Sequence, residues 1–101
     1  MQRALDDAVD AAAYIARDRP GTASRWREGL IDVGDRITRF PESGRLVPEW
    51  ESSRIRELIY TSFRVIYAPT DPPVIIAVRH SRRRLRKRDL IRWMREAEEV
   101  A

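Results

Sequence analysis

The sequence predicts an α+β domain: an N-terminal antiparallel helix hairpin packed on one face of a three-stranded antiparallel sheet, plus a C-terminal helix. Three observations carry that prediction. Two stretches before residue 41 repeat apolar residues every three to four positions. Three short runs rich in β-branched and aromatic residues then follow within residues 54–84. Their connections are too short for a parallel crossover, which needs a dozen or more residues, so the three must be antiparallel neighbours.

The first helix is expected from Gln2 to Arg17, where Leu5, Ala8, Val9, Ala12, Ile15 and Ala16 form one face and Asp6, Asp7, Asp10 and Arg17 lie on the others. Asp18-Arg19-Pro20-Gly21 breaks it, because proline disfavours helical geometry in the residue before it. Thr22 is placed to cap a second helix. The stripe of that helix is Ala23, Trp26, Leu30, Val33, Ile37 and Phe40. Gly29 and Gly34 each cost about 1 kcal/mol against alanine in a helix, which suggests a close helix–helix approach. Residues Leu46–Ser53 read as an irregular linker. The strands are Ile55–Tyr60, Phe63–Ala68 and Val74–Arg79, with Phe63, Val65 and Tyr67 as the core set facing the hairpin and Arg64 on the opposite side, near Arg56. A final helix, roughly Lys87–Val100, carries the stripe Leu90, Ile91, Met94, Ala97 and Ala101, with Trp93 and Met94 as core or as cover for further surface.

At 101 residues with 43% hydrophobic content, the chain suits a single domain spanning residues 1–101 with one modest core. A domain of this size buries only about two-thirds of its unfolded surface. With no cysteine, disulfide scaffolds, thiolate metal sites and cysteine nucleophiles are excluded. No apolar run is long enough to span a membrane and no signal-peptide core is present, so a cytoplasmic protein without a membrane partner is expected.

Of the 20 basic residues 19 are arginine, against 16 acids. Arg79, Arg82, Arg83, Arg84, Arg86, Lys87 and Arg88 follow one another with no acid before Asp89, which implies an acidic partner or a solvated surface. Arg56 and Arg64 read either as an anion- or partner-binding pair or as arginines salt-bridged locally to Glu57 or Glu49. His80, the lone histidine, stands at a strand end as a structural residue or as a general acid or base. With no second histidine, paired carboxylate motif, Gly-rich phosphate loop or nucleophile elbow, nothing calls for a metal or cofactor.

The order of elements resembles the RelE/ParE superfamily of type II toxin–antitoxin toxins, and more closely its ParE branch. The likeness rests on A-A-A-Y-I-A-R-D-R-P-G-T-A at residues 11–23, F-P-E-S-G-R-L-V-P-E at 40–49, R-E-L at 56–58, F-R-V-I-Y at 63–67 and V-R-H-S-R-R at 78–83. It implies a small bacterial toxin neutralised by a cognate antitoxin, which alone would contact operator DNA. ParE-like members poison DNA gyrase; RelE-like members cut mRNA on the ribosome. On the gyrase reading the chain is a binding protein, with Arg56, Arg64, His80, Arg82 and Arg83 contacting the target. On the alternative reading it is an endoribonuclease, with Arg64 and Arg82 or Arg83 stabilising the transition state and His80 as general acid. A third possibility is an inactive, antitoxin-binding member. The second RelE arginine falls near Ser81 and no C-terminal tyrosine is suitably placed, which favours the ParE reading. Members of the family normally begin with a β-strand, whereas here Met1 is followed at once by helical sequence: either the start is misassigned, the chain is trimmed, or this member lacks an edge strand, in which case a sheet edge would be open to a partner.

Overall fold

The computed structural model describes residues 1–100. Ala101, the last member of the predicted C-terminal stripe, lies outside the described residues. Helix α1 (Gln2–Asp18) and helix α2 (Ala23–Arg39) are joined by a 3-10 turn at Pro20–Thr22. Thr22 holds the predicted cap position but does not cap α2. Its hydroxyl instead donates to the Arg19 carbonyl at 2.8 Å, because the 3-10 turn runs straight into the helix. The hairpin seam is built from Ala11, Ala12, Ile15, Trp26 and Leu30.

The sheet has four strands, not three, in the order β1 (Arg45–Leu46), β2 (Arg56–Tyr60), β3 (Phe63–Ala68), β4 (Val74–His80), all antiparallel. The extra strand lies at the start of the segment expected to be irregular. Two residues give no periodicity to read, and they pair because Gly44 lets the chain approach β2 closely. A Cβ on Gly44 would lie 2.6 Å from the Glu57 carbonyl oxygen. The Tyr67 hydroxyl secures that approach, donating to the Pro41 carbonyl at 2.6 Å and accepting the Gly44 N–H at 2.9 Å.

Phe63, Val65 and Tyr67 face the helix hairpin, packing on Trp26 and Ile37 as the alternation predicts. The other face is covered as well. Helix α3 (Lys87–Val100) and the 3-10 segment Pro48–Ser53 pack there, where Leu90, Trp93 and Ala97 meet Ile66, Ala68, Ile76 and Ala77. The helices therefore sandwich the sheet rather than sharing one face. β3 is buried along its whole length, so both faces of the central strand need cover.

The helical glycines serve the sheet. A Cβ on Gly29 would stand 2.0 Å from the Tyr60 hydroxyl oxygen, which donates to the Trp26 carbonyl at 2.9 Å. The nearest neighbour of Gly34 is Ile75 on β4. Neither glycine marks a helix–helix crossing. The outer edge of β4 is met by α1: Asp7 accepts the Val78 N–H at 2.9 Å and the Met1 ammonium donates to the Ile75 carbonyl at 3.3 Å.

Candidate functional site

The strand pairing separates the predicted site residues. The two-residue turn Thr61-Ser62 aligns Tyr60 with Phe63, Ile59 with Arg64 and Arg56 with Tyr67. Directly paired residues share a face, so Arg56 points to the hairpin side and Arg64 to the α3 side. The expected Arg56–Arg64 neighbourhood does not exist. Arg56 donates instead to the Gly44 carbonyl at 2.7 Å, a contact that supports the β1 approach.

Arg64 is 5% exposed and fully engaged. Its Nη1 and Nη2 donate to the two Glu49 carboxylate oxygens, both at 2.8 Å, and its Nε donates to Glu57 Oε1 at 2.6 Å. Nη1 also reaches the Arg83 carbonyl at 3.3 Å. Glu57, itself buried, is further held by Arg45 Nε at 2.7 Å. Chiefly through the hydrogen bond from Arg64, and against the desolvation that opposes it, the Glu49 carboxyl is held down to about 2. The hydrogen bond from Arg64 to Glu49 likewise pushes the guanidinium above its ordinary value. The same Glu49 Oε2 accepts the Leu85 N–H at 3.0 Å. One buried cation and two carboxylates thus tie the arginine loop to the sheet at Arg83 and Leu85.

His80 lies on the hairpin face, opposite Arg64. It pairs with Phe63 across the strands and stacks edge-to-face on that ring with centroids 5.4 Å apart. Its Nδ1 accepts the Arg82 N–H at 3.1 Å, and its carbonyl accepts the Arg83 N–H at 3.0 Å. The histidine therefore shapes the turn that presents Arg82 and Arg83. Both arginines are exposed, and neither forms an ion pair among the described residues.

Arg83 borders three clefts, two of which flank the predicted site residues. One, of about 370 Å³, is lined by Asp10, Tyr14, Phe63 and His80 on the hairpin side. The other, of about 300 Å³, is lined by Glu49, Arg64, Arg82 and Arg84. A separate cleft, apolar and about 470 Å³, runs between α1, α2 and β4, with Leu5, Leu30, Ile37 and Ile75 in its walls. Leu5 is 62% exposed, so this groove meets solvent with an apolar lip.

The structure brings Arg82 and Arg83 together with His80 behind them, and sets Arg56 and Arg64 apart as structural ties. Glu49 is the residue the site prediction left in a minor role. The two-residue turn was the available signal for the β2–β3 register, but no local pattern links residue 49 to residue 85.

The family of ParE toxins of type II toxin–antitoxin systems, parDE, matches residues 1–85. The chain belongs to this family. As a ParE family member it is a toxin of a type II toxin–antitoxin system, and the family implies a cognate antitoxin as partner. No curated protein matches the chain. Helix α3 of this ParE member begins at Lys87, past the matched residues. Among the described residues no helix is long and apolar enough to cross a membrane.

Proposed function

We propose that this ParE member inhibits DNA gyrase by binding it, and that the cognate antitoxin neutralises it. The observation that carries this reading is the state of Arg64. Ribonuclease chemistry would need that guanidinium free to stabilise a phosphorane-like charge. Here Glu49 and Glu57 neutralise it, and it lies across the sheet from His80. The two groups cannot address one phosphate together, which weighs against the RelE-like alternative.

The target-contacting residues on this reading are Arg82 and Arg83, with His80 fixing their turn and Arg64 and Arg56 holding the framework. The toxin unit extends through α3, because Leu90, Trp93 and Ala97 complete its core. The antitoxin lays an amphipathic segment into the apolar groove between α1, α2 and β4, a helix-in-groove mode in which apolar anchors carry the affinity.

The test is purified toxin against gyrase, reading supercoiling and stabilised cleavage complexes. Inhibition that is lost in an Arg82→Glu/Arg83→Glu variant supports the reading. Unchanged gyrase activity at high toxin excess overturns it, and mRNA cleavage at codon boundaries after induction would move the assignment to the ribosome.

A further inference from the structure

The far side of the arginine loop carries a second feature, which shares only Arg83 with the proposed gyrase contact. Where the loop enters α3, a cleft of about 210 Å³ is walled by Arg79, Arg83, Arg84, Arg86, Asp89 and Trp93. The one carboxylate of this cleft, Asp89, is bonded by Arg92 at 3.2 Å, and Arg79 is paired with Asp7, so the unpaired cations here are those of the loop. Arg83, Arg84 and Arg86 are exposed and without an ion-pair partner among the described residues, as are Lys87 and Arg88 just beyond. Trp93 is 3% exposed, yet its indole N–H has no acceptor among the described residues.

We propose that this cleft seats a backbone phosphate and that, with Lys87 and Arg88, it forms a sequence-independent contact surface for duplex DNA. Three features select that ligand. Arginine's planar fork donates two parallel N–H bonds to a phosphate, and the unpaired Arg83, Arg84 and Arg86 of the loop converge here. None of the large hydrophobic side chains exposed among the described residues lies between residues 60 and 99, so the surface lacks the apolar anchors of a protein interface. The rings beside it offer no stacking platform for single-stranded bases: Trp93 is buried and Trp50 is half-buried, with Lys87 Nζ 5.8 Å from its centroid. A charged surface without apolar or stacking anchors matches a duplex backbone, where counterion release supplies the affinity. Arg84 and Arg86 distinguish this contact from gyrase docking, which does not use them, while Arg83 borders both.

The experiment is fluorescence anisotropy of a labelled 20-base-pair duplex titrated with the purified chain between 50 and 200 mM KCl. Binding is expected to weaken with salt, with a log–log slope of about −3 to −4, about four phosphates engaged. Arg84→Ala/Arg86→Ala, at two exposed positions, is expected to lower affinity at least ~10-fold and the slope by about two. Absence of binding at 50 mM KCl, or an unaltered double variant, overturns the proposal. So does displacement of the duplex by poly-glutamate of equal charge, which would assign the surface to an acidic protein. Gyrase inhibition is read separately: an inert toxin that still binds duplex removes the gyrase reading and leaves this one standing, and the reverse result does the opposite.

Discussion

Arg64 and the arginines between residues 82 and 88 are one residue type in two opposite situations. Arg64 is enclosed by Glu49 and Glu57, whereas Arg82, Arg83, Arg84, Arg86 and Arg88 are exposed and form no ion pair among the described residues. Burying a charge is tolerable only when paired and hydrogen-bonded, so Arg64 is committed to holding the fold. A solvated charge keeps its field available to a partner. The same guanidinium is therefore a tie in one place and a contact in the other, and the nearest carboxylates decide which.

The comparison breaks most sharply at Arg64. Arg64→Ala leaves two carboxylates facing each other without their cation, one of them fully buried, and should cost about 3–5 kcal/mol in urea unfolding. A loss below about 1 kcal/mol would mean that Arg64 is no more committed than the loop arginines. Glu49 gives the next effect, on the order of 3 kcal/mol at neutral pH, from the difference between about 2 in the fold and the ordinary 4.5. Because the folded value is the lower one, this stability is present above about pH 4.5 and is lost as pH falls from there through about 2. Glu49→Gln should flatten that part of the stability–pH profile, and should also loosen the loop, read as faster amide exchange at Leu85.

A smaller effect is expected at Arg45, whose side chain is 64% exposed while its partner Glu57 is buried. Arg64 bonds only Glu57 Oε1, so removing Arg45 leaves the buried Oε2 without its donor while the charge stays paired, and Arg45→Ala should cost about 1–2 kcal/mol by thermal melting. The smallest stability change belongs to Arg82→Ala and Arg83→Ala, within about 0.5 kcal/mol, as for surface positions generally. These two variants should nevertheless lose most gyrase inhibition. Variants that unfold the protein would place Arg82 and Arg83 in the same class as Arg64.

Much of this was legible in the chain. Alternation at Phe63, Val65 and Tyr67 chose the hairpin-facing side of β3, and the stripe of Leu90, Met94 and Ala97 located α3. Glu57 and Glu49 were visible as carboxylates in reach of Arg64. What could not be read was which arginine they would take, or that the partner of α3 would be the second sheet face. The strand Arg45–Leu46 was equally hidden, because its pairing depends on Gly44 fitting under Tyr67 rather than on any pattern of its own.

The sequence by itself determined the helices, the three longer strands, the turn that sets their register and the run of uncompensated positive charge. Those depend on neighbours within a few positions, through periodicity, turn chemistry and local charge. Only the tertiary structure decided which guanidiniums are spent and which are free. That choice required Glu49 to meet Arg64 and Leu85, 15 and 36 residues away, and the placement of a buried charge is settled by whichever partners the packed fold brings within hydrogen-bonding distance.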